Sequence, residues 1–226
     1  MHGRVAILML LALLLPVVSG AGQSRPPKAP ANNLQERLNI AILRQDVAAV
    51  KALLKAGADA EGTGFAEALV GQKVDPTERD TSTLLIIAAG HSRPEIVRLL
   101  LQHGAKVNAR DGDGMTALHW AVLWGEPRSL QVLLGNRANP NVVAYDGSTP
   151  LMRATFGGQP DKVKMLLQRQ AKVNIPYKDG STALDWAIKA RKWADPKNQQ
   201  TIISLLLRAG AKSSHAIPTS PKGPRH

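Results

Sequence analysis

Threonine recurs in this chain at a fixed interval. Thr83, Thr116, Thr149 and Thr182 are each separated by 33 residues. The pairs Leu100-Leu101, Leu133-Leu134 and Leu166-Leu167 keep the interval, and so do Asn108, Asn141 and Asn174. The segment Asp-Gly-x-Thr-(Pro/Ala)-Leu appears in full at 113–118, 146–151 and 179–184. One unit, Thr116 to Asn141, shows what is being copied. The Thr116 hydroxyl suits a helix N-cap, and Leu118, Ala121 and Val122 then share one face. Gly125 permits a turn, and Leu130, Leu133 and Leu134 form the stripe of a second helix. A helix pair this short cannot bury its own apolar face, so it needs neighbours made the same way.

Interval, Thr-Pro-Leu-His-like start, Leu-Leu, Gly-Ala and terminal Asn all fall in register, and in this the chain resembles the ankyrin repeat from roughly Asn33 to Ala211. The resemblance implies an all-α ankyrin-repeat solenoid of about five helix-turn-helix repeats with short β-hairpin-like fingers. The repeats are expected at about 33–60, 81–110, 114–143, 147–176 and 180–211, with insertions at 61–80 and 191–198. Repeat one lacks the Thr entry and has Glu36 in its place; with Gln35, Arg37 and Arg44 this suits a terminal repeat whose outer face meets water. Gly57 and Gly104 end the second helices of repeats one and two, whereas Arg137 and Gln170 stand at that position in repeats three and four. Those two turns are expected to be strained or differently wound.

The ends of the chain read differently. Arg4 is the only charge in residues 1–21, followed by a 14-residue apolar run from Val5 to Val18 and the small residues Ser19 to Gly22. Such a sequence reads as a secretory signal peptide cut after Ala21, with Gly20 and Gly22 as neighbouring alternatives. The run is short for a membrane-spanning helix. Residues 22–32 hold three prolines and read as a linker, and 212–226 as a flexible Pro/Ser/Lys tail. Export to the periplasm is the expected localisation, with an extracellular or N-terminally anchored protein as the alternative.

Composition narrows the chemistry. The chain has 226 residues, 44% hydrophobic but only 4% aromatic, and no cysteine, so disulfides and thiolate metal sites are excluded. Its formal charge is +12, which favours anionic partners. The basic residues are spread over many segments without a nucleic-acid-binding motif, so no nucleic acid is expected. No pair of histidines has metal-ligand spacing, and there is no P-loop, G-x-S-x-G or G-x-G-x-x-G. No enzyme activity, metal or cofactor is therefore expected. His119 falls at the His of the family's Thr-x-x-His motif, which implies a structural role: a ring nitrogen bonded to the Thr116 hydroxyl or a neighbouring backbone group. Thr83, Thr116, Thr149 and Thr182 are structural by the same register.

Ankyrin partners usually lie along the concave side, on finger tips and the exposed face of each first helix. Carried over by register, the candidate partner-binding residues are Arg79, Asp80 and His91 in repeat two, Asp113, Met115, Leu123 and Trp124 in repeat three, Tyr145, Asp146 and Phe156 in repeat four, and Lys178, Asp179 and Lys189 in repeat five. Met115, Leu123, Trp124, Tyr145 and Phe156 form the apolar share, as an interface centre requires. Trp120 and Trp186 replace a buried leucine of the family pattern and are expected in the core. The expected function is rigid docking of a protein partner by a monomer, as an immunity protein or inhibitor of an effector or enzyme. The alternatives are an accessory factor that stabilises a resident periplasmic enzyme, for example in oxidative-stress defence, and a charge-driven binder of anionic envelope components.

Overall fold

In the computed structural model the described residues are 34–62, 82–91 and 93–214. The proposed signal peptide and linker, most of the 61–80 insertion and the tail beyond Ser214 lie outside them. Among the described residues there are ten helices in five pairs: α1 (Leu34–Leu43) with α2 (Val47–Lys55), α3 (Leu84–His91) with α4 (Pro94–Gln102), α5 (Ala117–Leu123) with α6 (Pro127–Gly135), α7 (Pro150–Phe156) with α8 (Pro160–Gln168), and α9 (Ala183–Ala190) with α10 (Pro196–Arg208). First helices pack on first helices and second on second, which gives two layers. The fold is an all-α solenoid.

The repeated residues explain the stacking. Leu100, Leu133, Leu166 and Leu206 are all fully buried, one from each second helix of repeats two to five. The asparagines tie the repeats together. Asn141 Oδ1 accepts from the Lys172 amide at 2.7 Å while its Nδ2 donates to the Gln170 carbonyl at 3.3 Å. Asn174 does the same one repeat on, with the Lys212 amide at 2.7 Å and the Gly210 carbonyl at 3.0 Å. An exposed backbone end of one repeat thus finds its partner in the one before it.

The helix pairs of repeats two to five are each entered through a cap. Thr149 Oγ1 accepts from the Met152 amide at 3.2 Å, and Thr83 Oγ1 from Ile86 at 3.4 Å. Thr116 and Thr182 close capping boxes with His119 and Asp185, which stand in the same register. The fingers are tight turns in which Gly114, Gly147 and Gly180, all at positive φ, donate to the carbonyls of Asp111, Ala144 and Tyr177 at 2.9 Å. Regular pairing in them is reduced to an isolated bridge between Arg110 and Thr116 among the described residues.

The second helices of repeats three and four are followed by no glycine at the left-handed position, and the backbone records it. Arg137 and Gln170 sit at φ +63° and +61°, in the left-handed region that costs an L-residue about 1–2 kcal/mol. In repeat five the additional residues are divided between two places. Pro196 lies 14 residues after Thr182, against 11 from Thr149 to Pro160, and α10 has 13 residues where α8 has nine. The longer connection carries Trp193 out of the helix layers.

Candidate partner-binding groove

A groove of about 490 Å³ opens between the first helices of repeats four and five, with a rim from repeat three. Val122 and Leu123 contribute from α5, Arg153 and Phe156 from α7, and Trp186 and Lys189 from α9. The fingers add Asp146, Tyr177 and Asp179.

Its apolar wall is built from aromatic edges. Phe156 and Trp186 meet in a T at 5.7 Å, Tyr177 and Trp186 at 5.0 Å, and Phe156 and Trp193 at 5.5 Å. Such edge-on pairs add attraction beyond the area they bury. The wall is nevertheless open to solvent: Phe156 is 46% and Trp193 60% exposed.

Its polar wall is ionic. Arg153 Nε donates to Ser148 Oγ at 2.9 Å, and its terminal nitrogen pairs with the Asp146 carboxylate. Burial opposes ionisation of Asp146, but the Ser148 hydroxyl and amide and the Arg153 cation outweigh it and hold its carboxyl below the usual range. Lys189 pairs with Asp179 at 3.6 Å, and hydrogen bonds from Ser181 hold the Asp179 carboxyl low as well. Both pairs lie at the groove, so a partner meets two fixed cations and two fixed carboxylates beside an aromatic surface. Among the described residues there is no group of His, Cys, Asp and Glu able to hold a metal ion.

Of the residues expected to bind a partner, Leu123, Asp146, Phe156, Asp179 and Lys189 come together in this groove. Five others, His91, Asp113, Trp124, Tyr145 and Lys178, lie outside its lining. Trp124 is 61% exposed and has no aromatic ring partner among the described residues. Tyr145 is 65% exposed, and its ring lies over Gly114, where an added Cβ would stand 2.7 Å from it. The Tyr145 amide donates to the Asp113 carbonyl at 2.9 Å, which braces one exposed finger on the next. Lys178 and His91 are exposed, the His91 ring lying edge-on to Trp120 at 6.3 Å. Arg79 and Asp80 lie outside the described residues.

Two expectations need correction. Met115 is only 8% exposed and belongs to the core. Its carbonyl accepts from the Asp111 amide and its amide donates to Asp111 Oδ1, both at 2.9 Å, and this clamp turns its side chain inward. Trp186 is not core but half-buried groove wall. Trp120, in the same register, is enclosed, and its indole N–H donates to the buried Asp111 at 2.8 Å, whereas that of Trp186 donates to Ser181 Oγ at 3.1 Å. Repeat five has Tyr177 in place of Asp111, and no further finger covers Trp186 among the described residues.

Sequence reasoning missed Arg153, Tyr177 and Trp186 as groove residues, and Trp193 as the ring that packs on Phe156 beside the groove. Arg153 was findable: it stands between Trp120 and Trp186 at the same register position, where a charge is out of place in a core.

His119 is fully buried. Its Nδ1 lies 3.1 Å from both the Thr116 amide and the Thr116 hydroxyl, which makes Nδ1 an acceptor and leaves the proton on Nε2. Burial first, and the Arg153 cation second, push its pKa down to about 4 against the Ser148 backbone. It is a neutral strut, not a base facing the groove.

A comparison with curated proteins found no match. A family model described as ankyrin repeats (3 copies) matches residues 38–144 and again 127–216. These matches cover well over half of the chain and coincide with the stacked helix pairs, and the chain belongs to the ankyrin repeat family.

Proposed function

We propose that this protein is a non-enzymatic recognition module that docks a protein partner on its concave side, centred on the groove between repeats four and five. Ankyrin repeats are generally protein–protein interaction modules, and the groove supplies what a hot spot needs. One observation carries the reading: Phe156 and Trp193 stay about half exposed or more while packed on each other at 5.5 Å. Their mutual packing holds them rigid, so a partner covers preordered aromatic surface and little side-chain entropy is lost on docking. The ion pairs at the groove then fix register and exclude wrong partners.

The apolar run Val5 to Val18 and the small residues after it support export, and we place the mature protein in the periplasm. There it serves as an immunity protein or inhibitor, or else as an accessory factor for a resident enzyme. The test is affinity capture by the mature protein from its native envelope fraction, with Phe156→Ala/Trp193→Ala and Trp124→Ala/Tyr145→Ala variants in parallel. One stoichiometric partner, kept by the wild type and lost from the Phe156/Trp193 variant, is the expected result. If that variant folds and captures the same proteins as the wild type, the groove is not the site. Whether the partner is inhibited or stabilised then separates the two roles.

A further inference from the structure

The two helix layers carry very different charge. Over 93–110, 126–143, 159–176 and 195–214, which hold the second helices and the turns that follow, there are thirteen Lys and Arg against four Asp and Glu. Over 111–125, 144–158 and 177–194, which hold fingers, first helices and the turns after them, there are five of each. The net charge of repeats two to five therefore sits almost wholly on the outer layer; in repeat one, 46–62 holds two Lys against three Asp and Glu.

Its cations are also aligned. Lys51, Arg98 and Lys164 are all exposed, and each lies five residues after its helix N-cap, at Asp46, Arg93 and Gln159. They occupy the same position on successive outer helices, and Gln131 fills it in α6, so no carboxylate interrupts the row. Packed helices lie about 8–10 Å apart, close to the range over which charges act together in physiological salt. Lys172 and Lys212 extend the cationic surface at the helix exits. None of these five residues is in an ion pair among the described residues. A face meant only for solubility mixes its signs.

The same four outer stretches contain no Phe, Trp or Tyr. They have nothing on which bases could stack, as single-strand recognition requires, and no aromatic belt for burial at a membrane interface. What remains is an array of exposed cations on aliphatic stems. From this we infer that the outer layer is a docking surface for an anionic phospholipid bilayer, bound peripherally through lipid headgroups. The concave groove is then turned away from the bilayer and stays open to its partner. The inference stands independently of the groove reading.

Co-sedimentation of the mature full-length chain with vesicles tests it. The vesicles contain phosphatidylglycerol in phosphatidylcholine, or phosphatidylcholine alone. Binding is expected to the anionic vesicles only, and it should vanish in about 1 M salt, where the screening length is about 3 Å. Lys51→Gln/Arg98→Gln/Lys164→Gln should weaken binding roughly 100-fold, since each cation near such a surface contributes about fivefold. Arg37→Gln/Arg44→Gln/Lys192→Gln removes equal charge away from the outer layer and should have far less effect. Circular dichroism checks that both variants fold. No binding to anionic vesicles at low salt would overturn the inference. So would equal loss in the two variants, or displacement from the vesicles by duplex DNA at matched phosphate.

Discussion

Lys162 Nζ donates to the carbonyl of Val122 at 2.7 Å, reaching from the second helix of one repeat to the first helix of the repeat before it. The same ammonium donates to Ala121 at 3.1 Å and Gly125 at 2.9 Å. The Ala121 and Val122 carbonyls belong to the last turn of α5 and that of Gly125 lies just beyond its end, where the helix offers no partners. The lysine is buried, and burial lowers its pKa, yet three carbonyls and the negative end of a helix dipole favour the charged form. Lys162→Met keeps the stem and removes the donors. It should destabilise the protein by about 1–3 kcal/mol, read as a lower urea midpoint with an unchanged slope. A midpoint within error of wild type would mean that water caps α5 as well as the lysine does.

This lysine marks where the sequence stops being legible. The 33-residue recurrence exposed the stack because Thr, Leu and Asn do the same job in each repeat. Lys162 is used once. Its register counterparts are Ile96 and Ser129, so no periodicity flags it, and an isolated lysine on a helix reads as solvated. The groove was half legible for the same reason. Phe156 and Leu123 stood out as apolar residues at exposed positions. Trp186 did not, because what leaves it half-buried is that no further finger covers it among the described residues; its indole N–H finds Ser181 Oγ at 3.1 Å. Trp193 became visible only once the extra residues were seen to divide between a turn and a longer α10. Met115 failed because a finger residue's direction is set by hydrogen bonds at Asp111, not by alternation.

His119 should give the protein a pH-dependent stability. Its pKa is about 4 in the folded chain and about 6.5 when unfolded. Between these values the unfolded state binds more protons, so stability rises with pH. The contribution is complete above about pH 6.5, is lost as pH falls toward 4, and amounts to about 3 kcal/mol at most. Asp185, whose carboxyl is strongly depressed, is ionised in both states above about pH 5 and adds to the acid loss only below it. Denaturation midpoints of wild type and His119→Gln across that range check this. The wild type should lose more stability on acidification than the variant; parallel curves would show that another group controls the slope.

The left-handed residues offer a gain. Arg137 and Gln170, at φ +63° and +61°, pay for their conformation without a side-chain bond that holds them there. Glycine adopts it freely, at some cost in unfolded-state entropy. Arg137→Gly and Gln170→Gly should each stabilise by about 0.5–1 kcal/mol. The positions lie in different repeats, so the double variant should give nearly the sum. Thermal midpoints that fall in both variants would show that the two side chains contribute more packing than their exposure suggests.

Asp185 closes the stack. It replaces the histidine of repeat three and accepts more bonds than any other carboxylate among the described residues. Its Oδ2 takes the Thr182 amide at 2.7 Å, the Ser214 amide at 3.0 Å and the Ser214 hydroxyl at 2.8 Å, while Oδ1 takes the Ser213 hydroxyl. The Thr182 hydroxyl reaches the Lys212 carbonyl at 2.8 Å. Burial raises its pKa, but these donors outweigh burial and leave it far below the ordinary carboxylate range. Ser213 and Ser214 thus supply donors, and Lys212 an acceptor, on the open side of repeat five. In a solenoid each repeat is stabilised by its neighbours, so loss at an end should stay local. Asp185→Ala should therefore abolish hydrogen-exchange protection of the Thr182 and Ser214 amides and lower that of α9. The amides of α5, two repeats away, should remain as slow as in the wild type. Equal loss of protection in α5 and α9 would mean that the five repeats open as one unit, and that residues 212–214 hold the whole stack and not its last member alone.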